Sequence, residues 1–217
     1  MIRSILKIVL LSGFLFSAFV LSGTEVAQAA SSEARQVLER TINEVLVELQ
    51  KPDLKNPATR SAVLGRVERI IERLFSFEEL AARTVGPHWS KFTPDQQTRF
   101  IGVFTTLLRE TYLEKLDGYN GETVSYLGET SSTSGDKAEI KTSVNIKGKP
   151  VPVAYRLLKK SQWEVYDVII EGVSMVQNYR SQFQQLMRAG EAEKLIEQVR
   201  VKAEEARARN AKLQTGR

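Results

Sequence analysis

The second half of the chain alternates between apolar and polar residues, which is the pattern of strands with one buried face. The clearest alternation spans residues 138–146, and after a turn expected at residues 148–150 it continues over residues 151–157. Residues 163–170 form a more continuous run of β-branched and aromatic side chains, and residues 124–127 form a weaker one. These runs, joined by short turns, predict an antiparallel sheet of about four strands.

The rest of the chain follows a helical period, with apolar residues three to four positions apart. Before the strands, this period predicts helices over residues 32–49, 57–74 and 94–116 and a short helix after Ser76; after the strands it predicts a helix from Ser174 onward. The residues expected to cap these helices are Ser31 or Ser32, Asn56 followed by Pro57, Ser76 with Glu79, Thr93 with Gln96, and Ser174. Helices packed on one face of an antiparallel sheet give an α+β fold.

The N-terminus has the three parts of a secretory signal peptide. Arg3 and Lys7 supply positive charge, residues 8–21 are almost wholly apolar, and residues 27–29 read Ala-Gln-Ala. This pattern predicts cleavage after Ala29. An uncleaved membrane anchor is the alternative, but the apolar run is shorter than the about 20 residues of a spanning helix.

Cleavage would leave 188 residues with 29 basic and 25 acidic side chains, a net charge of +4. We expect one domain over residues 30–197 and a charged tail over residues 198–217 that is helical or disordered. Much of the positive charge lies in this tail. It favours anionic lipid surfaces or acidic proteins as partners over nucleic acid, which an exported protein rarely meets; a simply solvated helix is the alternative. The chain has no cysteine, so disulfides and thiolate metal sites are excluded.

Few residues are of a kind that could catalyse a reaction. His88 is the only histidine, and it lies in an expected turn, where a solvated histidine is more common than a general base. Ser174 has no histidine near it in the sequence, and no Gly-x-Ser-x-Gly motif is present. The acidic pairs at residues 78–79 and 204–205 bring neither histidine nor further carboxylates, so we expect no metal site and no enzyme.

Two charged residues, Asp167 and Arg180, have no obvious role. Asp167 interrupts an otherwise apolar predicted strand, where an unpaired carboxylate would be costly. Arg180 follows about one helical turn beyond the end of that strand, so the two could form a structural ion pair. In the other interpretation the Arg180 guanidinium binds a lipid phosphate, for which its geometry is suited.

Three phrases of the sequence are distinctive together: FSFEELAARTVGPHW at residues 75–89, TPDQQTRFIGVFTTLLRETYLEKLDGYNGETV at residues 93–124, and WEVYDVIIEGVSMVQNYRSQF at residues 163–183. These phrases resemble the MlaC family of periplasmic phospholipid-binding proteins. They occur in the family's order and spacing, and the resemblance covers residues 32–195. It implies an NTF2-like cone, with the sheet wrapped around helices and an apolar cavity inside.

The resemblance also implies which side chains line that cavity. Without it, the apolar stripe on the helix from Pro94 and the strand residues expected to face it would be interpreted as an ordinary filled core. With it, they are expected to leave room for acyl chains. The predicted pocket residues are Phe100, Val103, Phe104, Leu107, Leu108, Tyr112, Val144, Ile146, Val151, Val153, Tyr155, Val165, Met175 and Tyr179.

The resemblance further implies a monomeric periplasmic carrier with phospholipid as cargo and no cofactor. Its expected partners are an outer-membrane lipoprotein complex of the MlaA type and an inner-membrane ABC transporter complex of the MlaFEDB type. Three alternatives stay open: a carrier of another apolar molecule such as an isoprenoid or hopanoid, an adaptor or chaperone with a filled core, and an enzyme on the same cone fold.

Overall fold

A block of helices is followed along the chain by a block of strands and then by further helices. The computed structural model describes residues 32–112, 116 and 118–215, so the predicted signal peptide lies outside the described residues. The helices are α1 (Glu33–Leu49), α2 (Arg60–Leu74), α3 (Phe77–Val85), α4 (Pro94–Tyr112), α5 (Met175–Arg188) and α6 (Ala192–Thr215), with short 3₁₀ helices at Pro52–Leu54 and Gly86–Lys91. The strands are β1 (Thr123–Ser131), β2 (Lys137–Ile146), β3 (Lys149–Lys159), β4 (Trp163–Ile170) and β5 (Val173–Ser174). The predicted α+β class is confirmed.

The strands form one sheet in the order β1-β2-β3-β4-β5, and each strand pairs antiparallel with the next one in the chain. The sequence predicted about four strands. The additional strand, β5, pairs Ile169 with Ser174 and Ile170 with Val173, and it is only two residues long. A strand of that length is too short to show alternation in the sequence.

A two-residue turn joins β2 to β3. Lys147 and Gly148 have φ angles of 51° and 81°, and positive φ at both residues suits the twist of a tight hairpin. The side-chain oxygen of Asn145 accepts a hydrogen bond from the Gly148 N–H at 2.8 Å. The turn predicted at residues 148–150 is therefore one residue late, because β3 already begins at Lys149.

Several of the predicted helix caps are present. Ser32 accepts the N–H of Arg35 at 3.1 Å at the start of α1, and Ser174 accepts the N–H of Gln177 at 3.0 Å at the start of α5. Before α4, Thr93 and Gln96 form the predicted reciprocal capping box, at 3.2 Å and 2.9 Å.

The other two predicted caps are formed only in part or not at all. Ser76 occupies the N-cap position of α3, but it makes no side-chain capping bond, and its hydroxyl accepts a hydrogen bond from the Lys160 ammonium at 3.2 Å. Asn56 caps a turn, accepting the Ala58 N–H at 3.0 Å, so that α2 begins later than predicted, at Arg60.

Buried apolar side chains form two large clusters and one small one. The helix cluster lies among α3, α4, α5 and α6 and contains Leu80, Ala81, Val85, Phe92, Phe100, Phe104, Leu107, Leu108, Val176, Tyr179, Phe183, Met187, Leu195, Ile196, Val199 and Ala203. The sheet cluster lies between one face of the sheet, here called the inner face, and α1, and it contains Ala34, Leu38, Leu74, Ala138, Ile140, Val153, Leu157, Trp163, Val165 and Val168. The small cluster joins α1 to α2 through Leu49, Leu54, Val63 and Val67.

Helix α6 includes most of the segment expected to be a charged tail. Val199 and Ala203 are buried in the helix cluster, and the side-chain amide of Asn210 donates to the Glu110 carbonyl oxygen of α4 at 2.9 Å. This part of α6 therefore packs along α4. None of the helices in the described residues is both long enough and apolar enough to cross a membrane.

Candidate functional site

The structure divides the predicted pocket residues between the two large clusters. The helix cluster contains five of the predicted pocket residues, namely Phe100, Phe104, Leu107, Leu108 and Tyr179. Val103 and Tyr112, also on α4, pack against the margin of this cluster. Val144, Val151, Val153, Tyr155 and Val165 belong to the sheet cluster or pack against it. Met175 contacts both clusters, and Ile146 is exposed at the end of β2. The apolar stripe of α4 thus faces other helices, and the inner face of the sheet faces α1.

The helix cluster is filled by aromatic rings in mutual contact. The Phe104 ring centroid lies 5.6 Å from that of Phe100, 5.0 Å from that of Tyr179 and 6.0 Å from that of Phe183. Phe100 and Phe104 are 0% and 1% exposed. Burial raises the pKa of the Tyr179 hydroxyl, which hydrogen-bonds with Thr111 and Tyr112. Rings at these separations pack as in an ordinary protein interior.

The sheet residues predicted to line a pocket do share one face. Val144 pairs with Val151, and Thr142 pairs with Val153, which in turn pairs with Ile170. Because cross-strand partners point to the same side of a sheet, all of these side chains lie on the inner face. The alternation in the sequence therefore had the correct phase over β2 and β3.

A β-bulge breaks this alternation in β4. Tyr155 pairs with Val168 and Leu157 pairs with Val165, so two residues of β3 correspond to three of β4. Val165 and Val168 therefore both lie on the inner face, although an unbroken alternation would place them on opposite faces.

On the inner face of β2 and β3, exposure falls from the end of the sheet at Ile146 inward. Ile146 is 42% exposed, the next row, Val144 with Val151, is half-buried, and Thr142 and Val153 are buried. Ile170 and Val173 extend the row of Thr142 and Val153 toward β5, where they are 37% and 61% exposed. Farther in, Ile140 and Leu157 are fully buried. From α1, Leu38 and Ile42 contact this cluster. An apolar surface thus leads from solvent into the space between the sheet and α1.

Two tyrosines place hydroxyl groups in this apolar surface. Tyr126 pairs with Thr142, and Tyr155 pairs with Ile140, so both lie on the inner face. Burial raises the pKa of Tyr155 to about 12 and also raises the pKa of Tyr126. Both hydroxyls therefore stay protonated at neutral pH, and a bound molecule would meet neutral donors there.

Comparison with known proteins identifies the family. The MlaC protein family model matches residues 39–201, most of the chain. The chain belongs to the MlaC family. Over 172 residues it is 20% identical to the intermembrane phospholipid transport system binding protein MlaC of Haemophilus influenzae, which covers 76% of this chain and 78% of that protein.

A solved structure is similar to this MlaC-family chain in fold as well. It is the phospholipid-binding protein from Ralstonia solanacearum in complex with a phospholipid, with a TM-score of 0.72 and 25% sequence identity. The match covers 81% of this chain and 99% of that one. The α+β fold is therefore that of the MlaC family.

In this MlaC-family chain, Asp167 has an architectural role. Its side chain is 3% exposed and accepts hydrogen bonds from the Ser174 hydroxyl at 2.6 Å and the Val176 N–H at 3.0 Å. Arg156 on the neighbouring strand lies 3.4 Å from the carboxylate. The negative charge sits at the N-terminus of α5, where the helix dipole stabilises it.

Arg180, suggested as the partner of Asp167, binds elsewhere. Its guanidinium donates two hydrogen bonds to the backbone carbonyl oxygen of Arg83, one of them from Nε at 2.8 Å. Arg83 lies in the last turn of α3, where carbonyl groups lack partners within the helix. Arg180 thereby joins α5 to the end of α3, and the sequence-based pairing with Asp167 is replaced by Arg156, Ser174 and Val176.

A second concave surface is unsuited to acyl chains. A groove of about 880 Å³ runs between α1 and α2, and most of its lining side chains are charged or polar. Two ion pairs cross it, Arg66 with Glu48 at 2.7 Å and Arg73 with Glu44 at 2.5 Å. Neither this groove nor any other part of the described residues has a group of three or more histidine, aspartate or glutamate side chains that could hold a metal ion.

Sequence analysis did not assign several residues of the sheet cluster to a pocket. Leu38, Ile140 and Val168 were recognised only as apolar positions of a helix or a strand. Tyr126 lies in the segment predicted as a weaker strand, since a bulge near Gly128 interrupts its alternation. These residues come together because α1 packs on the inner face of the sheet. Neither the sequence of α1 nor that of the strands indicates this contact.

Proposed function

We propose that this chain is a periplasmic phospholipid carrier without a catalytic step. It shuttles glycerophospholipids between the outer and inner membranes of a Gram-negative envelope and so maintains the lipid asymmetry of the outer membrane. In this proposal it exchanges cargo with an MlaA-type lipoprotein complex and an MlaFEDB-type ABC transporter, as a soluble monomer. Membership of the MlaC family and the names of its two relatives support this function.

The observation that carries the proposal is the fall in exposure along the inner face of the sheet. Exposing one C16 acyl chain to water costs on the order of 12 kcal/mol, at ~0.8 kcal/mol per methylene group. An apolar surface that begins in solvent at Ile146, Ile170 and Val173 and ends among buried side chains could shield such a chain. We place the acyl chains between the inner face and α1. In this proposal the helix cluster is a filled core that stabilises the fold and binds no lipid.

The head group would remain at the exposed end of the sheet. Lys147 and Lys149 flank that end next to Ile146, and both are exposed. Their charges would attract a lipid phosphate that stays hydrated. Since the pocket and a bilayer are both apolar, net transfer changes the free energy little, and the partners set its direction.

The test is native mass spectrometry of the mature protein, purified without detergent from a Gram-negative periplasm. We expect an added mass equal to one phospholipid, released on denaturation and identified in an organic extract. A bare polypeptide mass, unchanged after incubation with liposomes, would contradict the proposal and favour the adaptor with a filled core.

Two adjacent substitutions on β2 locate the cargo. Val144→Trp places an indole on the inner face and is expected to reduce bound lipid at least tenfold. Ser143→Trp places the same ring on the opposite face and is expected to leave bound lipid unchanged. If both variants retain lipid, the cargo lies outside the sheet cluster, and the placement is wrong even if the carrier function is right.

A further inference from the structure

Tyr126 has a buried hydroxyl oxygen with no hydrogen-bond partner among the described residues. Such an atom is unusual, since buried tyrosine hydroxyls nearly always find a partner. The surrounding protein supplies none, although Thr142 lies directly across on β2. The Thr142 hydroxyl donates to the Val153 carbonyl oxygen at 2.9 Å and makes no hydrogen bond with Tyr126.

The Tyr126 ring is also held in a defined position. The Arg35 guanidinium carbon lies 5.4 Å from the ring centroid, which is cation–π distance. Arg35 is itself fixed by Glu39, whose carboxylate accepts a hydrogen bond from Nε at 2.7 Å. The hydroxyl is therefore pre-oriented on the inner face rather than free to turn toward solvent.

The position of Tyr126 along the inner face indicates what kind of group would meet it. The row of Tyr126, Thr142 and Val153 lies just inside the half-buried row of Val144 and Val151. It is the first row in which the central strands are buried. In a diacyl lipid whose phosphate stays in water, the polar atoms at this boundary are the ester carbonyl oxygens, which are neutral acceptors. The acyl chains beyond them have no acceptor.

We infer that the Tyr126 hydroxyl donates a hydrogen bond to an ester carbonyl oxygen of the bound lipid, so that the site prefers ester-linked to ether-linked glycerolipids. This inference rests on the proposed carrier function and on the placement of the acyl chains along the inner face. Tyr126 would then be a specificity-determining residue, because it distinguishes an ester from an ether linkage between the glycerol and the acyl or alkyl chain.

The test is a competition between diacyl and dialkyl phosphatidylglycerol of equal chain length, offered in equal amounts to the delipidated mature protein. Native mass spectrometry measures the ratio of the two complexes. We expect the wild type to favour the diacyl lipid about five-fold, as one neutral hydrogen bond allows. Tyr126→Phe is expected to bind both lipids with a ratio near one.

Tyr166→Phe is the matched control, because the Tyr166 ring also lies under an arginine, with Arg83 4.1 Å from its centroid. This variant should keep the wild-type preference. A second readout is the melting temperature without lipid, which Tyr126→Phe should leave unchanged or raise, since it removes an unpartnered hydroxyl. A purely structural tyrosine would instead lower it.

The outcomes separate this inference from the proposed function. Equal binding of both lipids by the wild type, or a preference that survives in Tyr126→Phe, would overturn the role of Tyr126 and leave the carrier intact. Binding of neither lipid would overturn the carrier function as well.

Discussion

The helix cluster and the sheet cluster are both apolar, yet they differ in two respects: whether their tyrosine hydroxyls are hydrogen-bonded, and whether their apolar side chains extend to solvent. In the helix cluster the Phe104 ring contacts those of Phe100 and Tyr179, and the Tyr179 hydroxyl is hydrogen-bonded. In the sheet cluster exposure falls gradually from Ile146 inward, and the Tyr126 hydroxyl has no partner in the described residues. A filled core satisfies its own polar atoms, whereas a binding surface leaves some for the ligand.

The difference also shows that a wide apolar stripe does not by itself identify a lipid pocket. The stripe of α4 is wide, but helices α3, α5 and α6 cover it. The alternating apolar residues of β2 and β3 instead form the surface that reaches solvent. The predictions below test this contrast, beginning with the largest expected effect.

Truncation should cost far more in the helix cluster than at the rim of the sheet cluster. Phe104→Ala removes a ring that is 1% exposed and is expected to lower the free energy of unfolding by about 3–5 kcal/mol. Val144→Ala, at a half-buried position, should cost about 1 kcal/mol or less. Denaturant unfolding of the lipid-free protein measures both. Equal losses would mean that the sheet cluster is as tightly filled as the helix cluster.

Asp167 should stabilise the fold without affecting the cargo. Asp167→Ala removes the acceptor for the Ser174 hydroxyl and the Val176 N–H, and we expect a loss of about 2–3 kcal/mol in the free energy of unfolding. Glu139→Ala, which removes the other partner of Arg156, should cost less than about 1 kcal/mol. Lipid content measured by native mass spectrometry should stay at the wild-type value in both variants; loss of lipid in Asp167→Ala alone would place its carboxylate in the binding site.

The exposed end of the sheet should control lipid exchange. Ile146→Glu puts a carboxylate where acyl chains and a lipid phosphate would pass, and we expect lipid transfer between vesicles to slow about three-fold or more. Val201→Glu is the matched control, since Val201 is a similarly exposed apolar residue, 38% against 42%, on α6. Both variants should unfold within about 0.5 kcal/mol of the wild type. Equal transfer rates would indicate that lipid enters elsewhere.

Stability at alkaline pH should report the burial of Tyr155. Its pKa is raised to about 12 by burial, whereas an unfolded tyrosine has a pKa of about 10. The stabilising contribution is therefore fully present below pH about 10 and is lost as the pH rises toward about 12. The free energy of unfolding should fall more gently in Tyr155→Phe than in the wild type over this window.

Much of the local structure followed from the sequence, because it depends on near neighbours. Alternation over residues 138–157 predicted β2, β3 and the phase of their inner face, and the capping box of Thr93 and Gln96 predicted the start of α4. The exceptions arise from a contact between residues far apart in the chain and from an irregular strand. The hydroxyl of Ser76 bonds to the distant Lys160, and a bulge in β4 changes the phase that simple alternation predicts.

Which apolar face meets which was decided only by the tertiary structure. Periodicity specifies that α4 and the sheet each have an apolar side, but any apolar surface can bury another because the hydrophobic effect has no direction. The chain path places α6 against α4 and α1 against the inner face. The same holds for polar partners: the sequence indicated that Asp167 required one, and the folded chain determined that Arg156, Ser174 and Val176 provide it while Tyr126 is left without any among the described residues.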